Sequence, residues 1–460
     1  LSRKYFGTDG VRGIANEKLT PEFALKLAQA AGRYIVEQGQ EPHVVLGRDT
    51  RLSGAMLEGA LAAGFCSVGV SVVSLGVVPT PTVSYVARTG AFAFGGIISA
   101  SHNPAPDNGI KFVDHSGGKL ADATELRIEE LMDQPITDRP LGAGIGDYVV
   151  DRGAVEGYLQ YLEKLVPERL EGMTVAVDAA HGAAYELGPE ILRRLGAKVI
   201  VSGDRPNGNN INAEGGATKP ETVQELTKST GADIGVAFDG DADRAVFSDE
   251  KGQLINGDRT IGIWSAHWQK HGQLNPAVVV GTVMSNGGFE HYLTQNQIKL
   301  ERAPVGDKYV AQRIKDTGAR IGGEQSGHII FPQHGPTGDG LITMLELLRT
   351  LKREGRPASA FYDDYESWPQ LLVNVSVEKR DGWETTPAVA EALAYAEEKL
   401  KGHGRVSVRA SGTQPMIRVM VEADEYGLRD STAEKIIAAM EKELGGSVYG
   451  RVDLTHALGD

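Results

Sequence analysis

One pattern of elements recurs three times along this chain and narrows its folds more than any other feature. Each round reads strand, helix, strand, helix, strand, loop, short strand, and in each the third strand runs straight into a polar loop. The three loops are SASHNP (99–104), DGDADR (239–244) and GGEQSGH (322–328). The first follows an uncharged apolar run, Phe92 to Ile98, which reads as a strand buried on both faces. Identity between rounds is low, so the repeat lies in the order of elements rather than in the residues. It predicts three related α/β domains, and because ligands bind beyond the carboxyl ends of strands in open α/β sheets, it predicts one shared cleft.

The chain has 460 residues, too many for one core, and 58 glycines, which supply the tight strand-to-loop turns of α/β folds. Before the first round, Pro21 to Gln38 has the helical period, with Thr20 as N-cap and Pro21 at N1. Gly142 to Gly146 reads as a linker. From about Trp368 the pattern changes: LLVNVSVEKR, RVSVRAS and PMIRVMVEA alternate apolar and polar residues around amphipathic helices at 387–401 and 428–443. That is an α+β domain of a different kind. The expected domains are 1–150, 151–255, 256–367 and 368–460.

The formal charge is −14, which argues against a nucleic-acid footprint while leaving room for local arginine clusters that bind phosphate. A single cysteine, Cys66, rules out an intrachain disulfide and a multi-cysteine zinc site; its setting in GFCSVGV reads as core. No apolar run reaches the roughly 18 to 20 residues that span a bilayer. The opening LSRKYFGTDG has no apolar segment of a signal peptide, so a cytoplasmic protein without membrane contact is expected.

DGDADR carries the strongest local chemistry. Asp239, Asp241 and Asp243 put three carboxylates within five residues at the end of an apolar strand, where they repel unless a hard cation such as Mg²⁺ sits among them. An EF-hand is excluded, because Arg244 stands where its loop needs glycine and the flanks read as strands. RASGTQPMIR (409–418) combines Arg409, Ser411, Gly412, Thr413 and Arg418, guanidinium groups and a Ser-Gly-Thr turn suited to a phosphate. GGEQSGH offers Glu324, Ser326 and His328 to a polyhydroxylated ligand. Ser101, at the end of a core strand with His102 beside it, is the candidate nucleophile, and Lys111 reads as either a general acid or base or a plain cation. In GRDTRLSG, Arg48 and Arg51 flank Asp49, a pattern read here as ion pairs rather than an anion site.

Taken together and in this order, ISASHNP, DGDADR, GEQSGH and R-x-SGT-x-P-x-x-R resemble the α-D-phosphohexomutase superfamily over essentially the whole chain. FGTDGVRG and the Gln of GEQSGH are most similar to its branch acting on glucosamine phosphate. The resemblance implies three related α/β/α domains with mixed sheets and a C-terminal α+β domain resembling the TATA-box-binding fold. It implies an enzyme interconverting glucosamine 6-phosphate and glucosamine 1-phosphate through a phosphoserine and a 1,6-bisphosphate, with glucose or mannose phosphates as the alternative substrates. Ser101 would carry the phosphate, and Asp239, Asp241 and Asp243 would hold Mg²⁺ together with an oxygen of that phosphate. Glu324 and Ser326 would contact sugar hydroxyls; His328, Lys111, His102 and Arg244 would surround the reacting groups; Arg409, Ser411, Gly412, Thr413 and Arg418 would grip the other phosphate; and Arg12 would face the cleft. A homodimer and activation by glucose or glucosamine 1,6-bisphosphate also follow from the likeness. Ala410, Gln414 and the GGATKPE loop (215–221) depart from the usual motifs, the last enough to leave its role open. A Ser-His hydrolase is disfavoured, since no G-x-S-x-G elbow surrounds Ser101, and a non-catalytic phosphosugar-binding protein is the remaining alternative. A bisphosphate that must turn around predicts a C-terminal domain rotating about a hinge near 366–370.

Overall fold

The structure, a computed structural model, describes residues 3–7, 9–378, 381–411, 415–456 and 458. The first unit contains β1 (Val11–Ile14), α1 (Pro21–Glu37), β2 (His43–Arg48), α2 (Leu52–Cys66), β3 (Ser71–Val77), α3 (Thr80–Thr89), β4 (Phe94–Ile98), β5 (Asp107–Asp114), α4 (Asp122–Met132) and β6 (Tyr148–Val150). In the second are α5 (Gly153–Leu165), β7 (Thr174–Asp178), α6 (Leu187–Arg194), β8 (Lys198–Ser202), α7 (Glu221–Thr230), β9 (Ile234–Phe238), β10 (Ala245–Asp249) and β11 (Leu254–Ile255). The third has α8 (Gly257–Lys270), β12 (Val278–Thr282), α9 (Gly287–Gln295), β13 (Lys299–Ala303), α10 (Asp307–Thr317), β14 (Gly322–Gly323), β15 (Ile329–Ile330), α11 (Gly340–Glu354) and α12 (Ala358–Tyr362). The last comprises β16 (Gln370–Ser376), α13 (Pro387–Leu400), β17 (Gly404–Ala410), β18 (Met416–Ala423), α14 (Tyr426–Leu444) and β19 (Ser447–Asp453).

The repeat holds at the level of hydrogen bonding. The three mixed sheets contain the orders β3-β2-β4-β5, β8-β7-β9-β10 and β13-β12-β14-β15. In each, the third strand of the round runs parallel to the first and antiparallel to the short strand that follows the polar loop. The loop after that strand therefore occupies one topological position in all three units. β4 and β9 are buried along their whole length, as apolar runs without charge require. The last unit is a four-stranded antiparallel sheet, β17-β18-β16-β19, packed against α13 and α14.

Some local readings shift. Thr20 does cap α1, its hydroxyl accepting the Phe23 N–H at 3.2 Å. The PTPT stretch (79–82) opens α3, with Pro79 at the N-cap and Pro81 in the first turn, where its missing N–H costs nothing. Cys66 is only half-buried, with Sγ 3.4 Å from the Asp147 carbonyl. β6 extends the first sheet beside β3, a three-residue strand too short to show a period. No helix among the described residues is long and apolar enough to cross a membrane.

One apolar cluster runs from Val45 in the first unit through Phe238 and Trp264 to Phe361 in the third, so these three units share a core. The C-terminal sheet buries a separate cluster, including Val373, Val419 and Ile436. At the junction of the second and third units, α11 starts at Gly340, where an added Cβ would lie 2.7 Å from the Arg244 carbonyl and 2.8 Å from that of Ala242. The helix thus meets the DGDADR loop backbone to backbone. Its N-cap, Asp339, accepts the Ile342 N–H at 3.0 Å and the Tyr158 hydroxyl at 2.7 Å.

Burial pushes the Asp339 carboxyl up to about 6 in spite of those hydrogen bonds. The folded chain holds this proton more tightly than the unfolded one, so the associated stability is lost as pH rises through the range between the ordinary carboxylate value and about 6. Asp339→Asn removes the ionisation and is expected to gain about 2 kcal/mol on the parent protein between about pH 4.5 and about pH 7.5. Urea unfolding of both proteins at the two pH values checks this; a pH-independent difference would contradict it.

Candidate active site

The three strand ends converge. Ser101 follows β4, the aspartates follow β9 and Glu324 follows β14; Ser101, Asp243 and Glu324, with Arg12 and His328, line a cleft of about 450 Å³, and Asp239 and Asp241 lie buried beside Asp243. A larger cavity of about 810 Å³ lies on the other side of His328, but it contains neither the serine nor the aspartates.

Ser101 is 3 % exposed and adopts φ of 51°, the left-handed region that costs a non-glycine residue roughly 1–2 kcal/mol. The surroundings over-determine that conformation. Its N–H donates to the Ser99 hydroxyl at 2.9 Å, and Ser99 donates in turn to Asp49 at 2.6 Å. Arg51, fully buried and paired with Asp49 at 2.8 Å, donates to the carbonyls of Ser101 at 2.9 Å, Asn103 at 2.8 Å and Asp107 at 2.9 Å, and also to that of Pro104. From the second unit, Asn212 donates to the same Ser101 carbonyl at 2.9 Å. Gly240 passes so close that a Cβ there would stand 2.5 Å from this oxygen. The pairing read into GRDTRLSG is present, but it lies inside the protein and its purpose is to clasp the serine loop. Arg48 pairs separately with Glu58 at 2.8 Å.

The Ser101 hydroxyl donates to Asp239 Oδ2 at 2.6 Å and lies 3.4 Å from His102 Nδ1. One ligand oxygen from each of Asp239, Asp241 and Asp243 falls within 4.8 Å of the others. Asp241 Oδ1 and Asp243 Oδ1 are buried and accept no hydrogen bond among the described residues. Burial, compounded by the neighbouring carboxylates, pushes Asp239 and Asp243 up. Burial acts on Asp241 too, but Lys111 and Thr80 outweigh it and hold that group below the carboxylate range. Oxygen-only donors, orphaned lone pairs and mutual repulsion fit a hard divalent cation.

Around this cluster lies a second ring of charge. Lys111 Nζ is 3.0 Å from Asp241 Oδ2 and 3.9 Å from both Asp9 and Asp243. Burial would lower its pKa, but these three carboxylates overcome it and drive it upward, so Lys111 is a fixed ammonium here. Lys119 bridges Asp9 and Asp307, each at 2.7 Å, and Arg12 pairs with Asp9. His328 Nε2 lies 3.9 Å from both Asp243 and Asp307. His328 Nδ1 is buried, with no hydrogen-bond partner among the described residues. Glu324 lines the cleft and accepts the Gly306 N–H at 2.9 Å, and Ser326 is buried beside it. Arg244 lines the cleft and its N–H donates to Asp239 at 3.2 Å. Gln325, one of the residues that carried the likeness to the glucosamine branch, is buried and does not line the cleft, its carbonyl accepting the Gly257 N–H at 2.9 Å.

In the last unit, Arg409 stands directly opposite Arg418 across β17 and β18, and the Ser411 N–H closes the hairpin onto the Met416 carbonyl at 2.8 Å. Gly412 and Thr413 lie outside the described residues. The 215–221 loop braces the metal loop from below: Gly216 N–H donates to Asp178 at 2.7 Å and Ala217 N–H to the Phe238 carbonyl at 2.9 Å. Sequence reasoning had assigned no function to Asp9, Asp307, Lys119, Thr80 or Asn212. The signal available for the first two was an aspartate beside glycine in FGTDG and APVGD, the same chemistry as the recognised loops.

Comparison with known proteins agrees with this architecture. Residues 3–138, 156–252 and 256–368 match phosphoglucomutase/phosphomannomutase alpha/beta/alpha domains I, II and III, and residues 372–439 match the C-terminal domain of that family. The phosphoglucosamine mutase of Desulforudis audaxviator is 46% identical over 434 residues, 94% of this chain and 96% of the relative. That of Bacillus subtilis is 45% identical over 447 residues, covering 96% and 99%. The chain belongs to the phosphoglucosamine mutase family of the phosphohexomutase superfamily. Its fold is shared by a phosphoglucomutase/phosphomannomutase family protein from Burkholderia thailandensis, with a TM-score of 0.79 and 24% identity over 97% of this chain and 99% of that one. It is shared too by the Aspergillus fumigatus N-acetylphosphoglucosamine mutase solved with GlcNAc-6P and magnesium, with a TM-score of 0.66 and 19% identity over 96% of both chains.

Arg51→Lys keeps the charge against Asp49 but loses the planar fork that reaches four carbonyls. A serine loop displaced by about 1 Å is expected to lower kcat on the order of a hundredfold with little change in KM for the sugar phosphate. Steady-state kinetics of the folded variant decides it; a KM effect alone would mean the clasp does not position Ser101.

Proposed function

We propose that this enzyme interconverts glucosamine 6-phosphate and glucosamine 1-phosphate by way of a phosphate carried on Ser101. The observation that carries the reading is the Ser101 hydroxyl, held 2.6 Å from Asp239 in a cleft built from three strand ends. A hydrolytic serine has no use for a carboxylate cluster at that distance, whereas a phosphate carrier needs a cation beside it.

In the forward direction the P–O bond to Ser101 breaks as a new P–O bond forms to the C1 hydroxyl oxygen of glucosamine 6-phosphate. The C1 hydroxyl proton passes by way of a base to the leaving Ser101 oxygen, which is left as the hydroxyl. The resulting 1,6-bisphosphate turns around and returns its 6-phosphate to Ser101. A Mg²⁺ ion held by Asp239, Asp241 and Asp243 would supply charge neutralisation at the oxygens of the transferred group. Lys111, fixed behind Asp241 as an ammonium, adds positive charge and takes no part in moving the proton. His328, lining the cleft between Asp243 and Asp307, is the proton acceptor. Ser326 and Glu324 meet sugar hydroxyls, with His102, Arg244 and Arg12 around the reacting phosphate. Arg409 and Arg418, two cations placed opposite each other on adjacent strands, grip the phosphate that is not transferred, with Ser411 at the edge of the same hairpin. A trace of glucose or glucosamine 1,6-bisphosphate would activate the enzyme by recharging Ser101. Reorientation is served by rotation of the C-terminal unit, whose core is separate.

The glucosamine reading rests on the named relatives and on the negative character of the sugar side of the cleft, where Asp307 and Glu324 face a ligand whose 2-amino group is a cation. Asp307 is held below the ordinary carboxylate range against the effect of burial, with Lys119 2.7 Å away. Mass spectrometry of the purified protein is expected to find a phosphate on Ser101. Kinetics on glucosamine, glucose and mannose 6-phosphates should favour the first, and Ser101→Ala should abolish turnover. A preference for mannose 6-phosphate would overturn the substrate assignment, and full activity in Ser101→Ala would overturn the mechanism. Asp307→Asn should narrow the preference for glucosamine over glucose phosphate about tenfold, the effect of one lost charge contact of about 1.4 kcal/mol; an unchanged ratio would remove Asp307 from recognition.

A further inference from the structure

Away from the cleft, the far ends of two helices of the third unit bring together a group of side chains that the reaction does not use. α8 presents His267 in its last turn and His271 at its C-cap, four residues apart and so on one face of the helix. α11 ends at Glu354 against them. His267 Nδ1 is 2.6 Å from Glu354 Oε1, and His271 Nε2 is 3.4 Å from the same oxygen. Three donor atoms, one from each residue, fall within 4.8 Å of one another. Donors about 2.0–2.2 Å from a single first-row ion lie roughly 3.0–4.2 Å apart, so small rotations of these side chains suffice to close on one.

Two further observations point to a cation. The negative ends of two helix dipoles meet here, since both α8 and α11 terminate at the cluster. A cation already sits on Glu354, because the Lys270 ammonium is 2.8 Å from Oε2 and 3.2 Å from Oε1. Arg353, the other nearby cation, is engaged with Glu168. His267 is 4 % exposed and His271 47 %, which makes one ligand rigid and leaves a side open to water.

We propose that His267, His271 and Glu354 form a second metal site, taking a borderline transition-metal dication of the zinc class, with water in its open position. Two imidazoles and one carboxylate select Zn²⁺, Ni²⁺ or Co²⁺ over Mg²⁺, the reverse of the all-oxygen cluster in the cleft. On binding, Nδ1 of His267 gives its proton to Nε2 of the same neutral ring, and Lys270 swings from Glu354 into solvent. The opposite end of α8 packs on the sugar loop, with the Gly257 N–H donating to the Gln325 carbonyl at 2.9 Å. A helix of this length separates the two by roughly 20 Å, so the ion stiffens the third unit without touching substrate.

The test uses the full chain, stripped of metal and then saturated with Mg²⁺ to fill the aspartate cluster, and titrated with ZnCl₂ by calorimetry. One additional Zn²⁺ per chain is expected. Both His271→Ala and Glu354→Gln should weaken it at least tenfold, with the Mg²⁺-supported turnover of His271→Ala unchanged. Lys270→Met removes the competing ammonium and is expected to tighten Zn²⁺ severalfold, an effect that a purely structural cluster of ion pairs would not give. Co²⁺ substitution adds a spectroscopic reading, since visible bands from nitrogen ligation should vanish in His271→Ala. No zinc beyond the aspartate cluster, or equal zinc affinity in the parent and the His271 and Lys270 variants, would overturn the site.

Discussion

Everything in the cleft depends on how a concentration of buried carboxylates is kept tolerable. Asp9, Asp239, Asp241, Asp243 and Asp307 surround a few ångströms of space at the ends of three sheets. Two such groups about 4 Å apart repel by roughly 4 kcal/mol at the effective dielectric of a protein. Lys111, Lys119 and Arg12 offset part of this, and the lysines do so as bridges: Lys119 joins Asp9 of the first unit to Asp307 of the third, and Lys111 joins the first unit to Asp241 of the second. The same charges that prepare a site for a cation and phosphate therefore also lock the three units in register. What remains uncompensated, the two orphaned carboxylate oxygens and the raised Asp239 and Asp243, marks the place where a divalent ion belongs.

A shared core makes that electrostatic arrangement possible. Because one apolar cluster continues through the first three units, their strand ends are fixed against each other to the precision phosphoryl transfer needs. Close backbone approaches do the final alignment. Gly240 meets the Ser101 carbonyl and Gly340 meets the DGDADR loop, each where any side chain would force units apart. Arg51 then holds Ser101 in a conformation it would not choose alone, a local strain stored at the reacting group and secured by four carbonyl contacts.

Much of this was legible in the residues. The order of elements foretold three equivalent sheets, because an uncharged five-residue strand that ends in a polar loop has few other places to go. The loops also pointed to the serine, the aspartate triplet and Glu324: Ser101, Asp243 and Glu324 line one cleft, with Asp239 and Asp241 clustered on Asp243 beneath it. Less visible were groups whose meaning comes from distance across units. Asp307 and Lys119 are ordinary surface residues in sequence, separated by 188 positions, yet stand 2.7 Å apart. Arg51 read as half of a local ion pair, which it is, but no pattern shows that its other face reaches residues some fifty positions on. Gln325 erred the other way: a motif position that marks the family but is buried and does not line the cleft.

The C-terminal unit obeys a different rule from the rest. Its core is its own, and it meets the third unit through polar links: Arg405 to the Val283 and Ser285 carbonyls, Gln370 to the Met284 carbonyl, and Asn286 to the Trp368 backbone in both directions. Hydrogen bonds of this kind exchange for water at a net cost of about 1 kcal/mol each, while opening a shared apolar core costs far more per residue. The linker itself is held by Arg259, stacked 3.7 Å from the Tyr362 ring and bonded to the Tyr365 carbonyl and Ser367 hydroxyl, so a rotation has a defined pivot. Arg409 and Arg418, opposite each other on the edge strand β17 and its neighbour β18, concentrate positive charge that an anion would relieve. A phosphate held between the units, as we propose, would supply an attraction that this polar interface lacks and would couple closure of the domain to ligand binding.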